Sequence, residues 1–97
     1  MRLHFTPQAE TDLEEIGDYI ALDNPARAVI FIQEIRQHCK QMADSPTRYA
    51  PRPDLGEAVR VCVHGNYLIV FEPYDEGVLI LRVLHGARNL PGISGRS

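Results

Sequence analysis

Val78-Leu79-Ile80-Leu81-Arg82-Val83-Leu84 carries six aliphatic residues in seven positions and follows a turn signal, Asp75-Glu76-Gly77. It reads as a strand. Side chains along a strand alternate between faces, which sends Val78, Ile80 and Leu84 to one side and Leu79, Leu81 and Val83 to the other. Both sides are apolar, whereas an antiparallel strand with one solvated face alternates apolar with polar. The stretch upstream repeats the pattern, with Tyr67, Ile69 and Phe71 on one face and Leu68 and Val70 on the other. Before it, Ala58 to Val63 sets Val59, Val61 and Val63 against Arg60 and Cys62, and Gly65-Asn66 marks the intervening turn. Three strands in an antiparallel meander follow from this spacing.

The N-terminal half has a different period. Arg2 to Phe5 is a short strand, and Thr6-Pro7 starts a helix, with Thr6 as N-cap and Pro7 at the first helical position. Ala9, Leu13, Ile16 and Ile20 form one apolar stripe at helical spacing. Glu10, Asp12, Glu14 and Glu15 gather near the start, where the helix dipole favours negative charge, and the acidic run from Glu10 to Asp18 reads as a solvated face that could also pair with the bases of a partner. Asn24-Pro25 repeats the start signal, so a second helix runs from about Pro25 to Ala43 with the stripe Ala28, Phe31, Ile32, Ile35, Cys39 and Met42. So short a connection makes an antiparallel helix hairpin. Ser45-Pro46 ends it, and residues 46–57, holding Pro46, Pro51, Pro53 and Gly56 with Arg48 and Arg52, form a long loop. From Gly86 onward the sequence reads as a fraying tail. The expectation is a single α+β domain over residues 1–97: an N-terminal strand, the hairpin, then the meander, with both helices on one face of the sheet.

Two helices can shelter one face of that sheet. The other would leave an apolar patch, and such patches mark binding surfaces. Burying roughly 400 Å² of it is worth about 10 kcal/mol before the costs of association. A partner protein fits this surplus. The loop and tail folding back over the second face, or a homodimer, would fit it too.

Composition narrows the function. Apolar residues are 44% of the 97 and charged residues 24%, an ordinary globular balance. The N-terminus turns polar by Thr6 and no run of about 18 apolar residues occurs, so neither a secretory signal nor a membrane span is expected, which points to the cytoplasm. Residues 1–44 hold eight acids and four bases, residues 45–97 five acids and six bases; −4 and +1 give the net charge of −3. Nine of the ten bases are arginine, Lys40 being the exception. A protein that neutralised nucleic-acid phosphates would present a basic face, so no direct DNA binding is expected. Cys39 and Cys62 lack the close spacing of a metal or redox motif and read as buried free thiols. His4, His38 and His64 show no ligand spacing, so no metal and no cofactor is expected.

Asp12-Leu13-Glu14-Glu15-Ile16, followed by Tyr19-Ile20-Ala21 and Asn24-Pro25, resembles the first-helix signature of the RelE/ParE toxin superfamily. Val59-Arg60-Val61 followed by Gly65-Asn66-Tyr67-Leu68-Ile69-Val70-Phe71 resembles it as well, and the ending Ile80-Leu81-Arg82-Val83-Leu84-His85-Gly86-Ala87-Arg88 is similar to the ParE branch. The resemblance spans Thr6 to Arg88, and its strength lies in the order and spacing of the motifs rather than in any one of them. It implies the small α+β toxin fold and a cognate ParD-like antitoxin whose C-terminal segment wraps the toxin. An amphipathic segment laid in a groove is a common recognition mode. Leu68, Val70, Leu79, Leu81 and Val83 are the expected antitoxin contacts.

Two outputs are known in that superfamily, and the sequence separates them by chemistry. Cleaving mRNA through its own 2′-hydroxyl needs a base, an acid and cations around the phosphorane. RelE-like enzymes supply these with lysines and arginines plus a tyrosine or histidine near the end of the last strand. Arg60, Arg82 and His85 occupy similar positions here, with Arg52 in the preceding loop, but the loop and strands hold no lysine and no tyrosine follows Tyr74. The resemblance to ParE-like toxins implies inhibition of DNA gyrase instead, with no catalytic residues, and Arg60, Arg82, His85 and Arg88 as target-binding candidates. Ribosome-dependent mRNA cleavage is the alternative, and a non-toxic interaction module is a third.

Overall fold

The computed structural model describes residues 2–86. Among them the chain forms β1 (Arg2–Phe5), α1 (Pro7–Ala21), α2 (Pro25–Ala43), a short 3-10 turn (Pro46–Arg48), β2 (Ala50–Pro51), β3 (Arg60–His64), β4 (Tyr67–Tyr74) and β5 (Gly77–His85). Both helices start where the sequence placed them. Thr6 Oγ1 accepts from the Ala9 amide at 3.0 Å, and Asn24 Oδ1 from the Arg27 amide at 3.1 Å. Each cap satisfies an amide that the first turn leaves without a carbonyl.

The sheet is five-stranded and mixed, in the order β1-β5-β4-β3-β2. The meander β3-β4-β5 is antiparallel as expected. The N-terminal strand joins its far edge parallel to β5, with Arg2 opposite Gly77 and Phe5 opposite Ile80. Thus β5 has a hydrogen-bonded neighbour on each side, and Ala50–Pro51 adds a two-residue strand inside the segment expected to be all loop. The β3–β4 turn is tight, and Gly65 has φ 58°, the value a two-residue II′ hairpin needs at its first central position.

One face of the sheet packs on the helices. Leu13 and Ile16 of α1, and Ile35, Cys39 and Met42 of α2, meet Cys62, Ile69, Phe71, Val78, Ile80 and Val83. The second face carries a smaller cluster in which Val59, Val70 and Leu84 are buried and Leu55, Val61 and Leu81 half-buried. Residues 52–59 fold over this side, closed by hydrogen bonds from the Arg52 amide to the Val59 carbonyl and from the Leu55 amide to the Arg52 carbonyl. The alternative in which the loop covers the second face therefore describes much of it. The large apolar side chains left exposed among the described residues are elsewhere for the most part: Tyr19, Val29 and Ile30 on the helices and Leu22 at the end of α1, against Val63 and Tyr74 on the strands.

Strict alternation fails in β5 at one point. Val70 pairs with Arg82 and Phe71 with Ile80, so Leu81 is an extra residue without a partner on β4. This bulge exchanges the two residues beyond it. Val83, expected on the open face with Leu79 and Leu81, is 2% exposed and lies in the helix-facing core, while Leu84, expected beside Val78 and Ile80, joins the other cluster.

Candidate functional site

Asp12, Glu15, Ile16 and Tyr19 fall on one face of α1 and look across a cleft at the end of β5. Arg82 and His85 form the opposite wall, Tyr67 stands beside them, and the cleft measures about 530 Å³. Asp12 departs from the solvated face expected of the acidic run: it is 7% exposed, while Glu10, Glu14, Glu15 and Asp18 are exposed. Its carboxylate accepts from Arg82 Nε at 2.8 Å, from Arg82 Nη2 at 3.0 Å and from the Val83 amide at 2.9 Å. The bulge explains the arrangement. A bulged strand leaves ladder groups unpaired, and a buried amide needs an acceptor, which Asp12 supplies. The hydrogen bonds to Asp12 push the Arg82 guanidinium further above its ordinary value, so it stays charged.

Asp12 neutralises Arg82 locally and Glu15 adds negative charge at the rim, so the positive charge of Arg82 is offset within the cleft. His85 stacks edge-on against Tyr67 at 5.2 Å, and its Nδ1 is buried without a hydrogen-bond partner among the described residues. Arg82 and His85 are thus brought together. Arg60 is not. The cross-strand row at the cleft is His64, Tyr67 and His85, whereas Arg60 pairs with Phe71, opposite Ile80. His64 lies four positions along the strand from Arg60, roughly 13 Å. There Arg60 Nη1 donates to the Tyr49 carbonyl at 2.7 Å and to the Thr47 carbonyl at 3.4 Å, which fastens the 3-10 turn to β3. Arg52 is held by Asp54 through two hydrogen bonds, 2.9 and 2.7 Å. Arg88 lies outside the described residues.

Of the five expected antitoxin contacts, Val83 faces the helices and Val70 is 5% exposed beneath residues 52–59, while Leu68, Leu79 and Leu81 are half-buried. A second concave surface lies on the outside of the helix hairpin. This groove, about 710 Å³, runs between α1 and α2 over Leu13, Gly17, Ala21, Ala28, Val29 and Ile32. Glu14 and Asp18 line its α1 rim, and Gln33 and Arg36 its α2 rim. Gly17 faces Ile32 across the groove floor, where a Cβ would make an ordinary contact 3.5 Å from Ile32 Cγ1. Sequence reasoning passed over this groove because it followed only the buried stripes. The signal was Val29, an apolar residue that falls off the α2 stripe and is 60% exposed. No helix among the described residues is long and apolar enough to cross a membrane.

Residues 3–90 match the family described as ParE toxin of type II toxin-antitoxin system, parDE. A chain from the solved chromosomal ParDE TA system of P. aeruginosa is 27% identical, with a TM-score of 0.74, the match covering 88% of this chain and 95% of that chain. Comparison with functionally curated proteins gives no match. The resemblance carried by the first helix and the last strand is thereby borne out, and so is the α+β toxin fold: the chain belongs to the ParE toxin family of type II toxin–antitoxin systems.

Proposed function

We propose that this ParE toxin acts by inhibiting DNA gyrase and is neutralised by a ParD-like antitoxin. One observation carries the choice over mRNA cleavage: the three residues that would have to share a scissile phosphate do not meet. Arg60 is spent on backbone carbonyls one end of the sheet away from His85, and Arg82 is bound to Asp12. Inhibition by binding needs a surface rather than an acid, a base and free cations around one phosphate. The target-binding candidates among the described residues are Arg82 and His85 at the cleft, and the resemblance adds Arg88. Purified toxin at micromolar concentration should block supercoiling of relaxed plasmid by gyrase, and should leave mRNA intact on ribosomes. Unimpaired supercoiling together with ribosome-dependent cutting that His85→Ala abolishes would replace this reading with the ribonuclease one.

For the antitoxin, the hairpin groove is the better-shaped surface, because the sheet face is half covered by the toxin's own loop. Its apolar floor with carboxylates along the α1 rim suits an amphipathic segment with a basic edge. Val29→Asp puts a charge on that floor at an exposed position. It should weaken binding of the antitoxin encoded beside the toxin about tenfold or more while leaving Tm within a few degrees. Unchanged affinity by calorimetry would move the antitoxin to another face.

A further inference from the structure

The molecule contains a histidine pair that the function above does not use. His38 of α2 and His64 at the end of β3 meet with their Nδ1 atoms 2.8 Å apart and ring centroids 5.0 Å apart. On its other side His38 Nε2 lies 3.3 Å from Cys62 Sγ. Burial pushes the Cys62 thiol up to about 11, so the sulfur keeps its proton at neutral pH and is not a nucleophile.

A hydrogen bond between two imidazole nitrogens holds one proton, so one ring donates and the other accepts. Two arrangements satisfy all three groups. Either His38 Nδ1–H donates to His64 and His38 Nε2 accepts from the Cys62 thiol, or His64 donates to His38 Nδ1 and His38 Nε2–H faces the sulfur. Neither survives two protons. With both rings charged, N–H confronts N–H at a separation meant for a hydrogen bond, and two cations touch. We propose that His38 and His64 form an acid-sensitive clasp that holds α2 against the end of β3 near neutral pH and opens when both rings are charged.

The surroundings offer the charged form little relief. From α2 the same surface groove is faced by Glu34, already paired with Arg27 at 3.3 Å, while the neighbouring thiol of Cys39 is itself pushed up to about 12 by burial. From β3 the facing group is the Cys62 thiol, and from β4 Tyr67, which reaches His64 through the ring of Phe31, 5.5 Å from His64 and 5.6 Å from Tyr67. Burial first, and then the charge of His64, hold His38 below the ordinary histidine range. The unfolded chain therefore binds more protons than the folded one below a pH of about 6.5. The clasp contributes its full stability above that pH and loses it as the pH falls below.

Opening would reach the candidate target-binding end. His64 begins the turn that carries Asn66, whose carbonyl accepts from the Gly86 amide at 2.9 Å, and Tyr67 stacks on His85. The experiment is an NMR titration of the histidine rings in the intact toxin, with thermal unfolding at pH 7.5 and 5.5 for wild type and His64→Gln. Expected are a His38 midpoint below 6.5, a rise of that midpoint in the variant, and a fall in wild-type Tm larger by roughly 4–8 °C than in the variant. Amide exchange at Gly86, corrected for intrinsic rates, should also quicken at pH 5.5 in wild type. A His38 midpoint at or above 6.5 overturns the clasp, as does an equal loss of Tm in both proteins. The wild-type ring titration decides the matter even if the variant folds poorly. No gyrase or antitoxin enters the measurement, so the outcome stands apart from the reading of the target.

Discussion

Asp12→Ala should cost about 2–4 kcal/mol of folding stability, a fall in Tm on the order of 10–20 °C for a chain of this size. Three hydrogen bonds end on this one carboxylate, two from Arg82 and one from the Val83 amide. Removing it leaves the Val83 amide buried without an acceptor and Arg82 without its counter-charge. The Arg82 side chain is 33% exposed and can recover water, which keeps the cost below that of breaking a fully buried pair. Asp12→Asn should cost less, because an amide oxygen can still accept from Val83. The two variants should therefore rank Ala below Asn in denaturant midpoint. A loss under 1 kcal/mol for Asp12→Ala would mean that the bulge holds without its anchor.

Gly77→Ala should cost about 3 kcal/mol or more and should detach β1 from the sheet. Gly77 stands opposite Arg2, and a Cβ at Gly77 would overlap the Arg2 carbonyl oxygen and its carbon. The clash is with backbone, so no rotamer change relieves it. The edge strand must shift away, and with it go the half-buried Leu3 and Phe5 and the stacking of Arg36 over Phe5 at 5.0 Å. Amide exchange should show lost protection across Arg2 to Phe5 while β3 and β4 keep theirs. Retained protection of β1 at near wild-type stability would refute the close approach.

Helices, meander and turn positions were legible because each rests on local chemistry: a cap, a period, a glycine with positive φ. The partner of the first strand was not. Four residues carry too few apolar positions to say which edge they join, and Gly77 reads equally as the end of a turn. The bulge was invisible for a similar reason, since nothing within Ile80-Leu81-Arg82 distinguishes an extra residue from a regular one; only the need of Asp12 for partners does. The site was half legible. Arg82 and His85 were named from the resemblance and do share a cleft, but Arg60 could not be placed without the register of β3 on β4. The groove on the hairpin was written in Val29, which lies off the buried stripe. The neighbouring His38 and His64 are far apart in the chain, and no spacing rule unites them.

Leu81 also behaves like a dislocation in a lattice. An extra unit in one row can in principle glide along its neighbour, and each step of that glide would turn one more side chain of β5 to the opposite side. Gliding toward the N-terminal end would turn Ile80 out of the interior; gliding the other way would draw Val83 out of it. A fixed carboxylate on an adjacent helix, bonded to the residues just past the defect, is a pinning centre. On that view the one buried acid in a run of solvated ones is less a charge than a peg, and it decides where along the ribbon the pattern of inside and outside reverses.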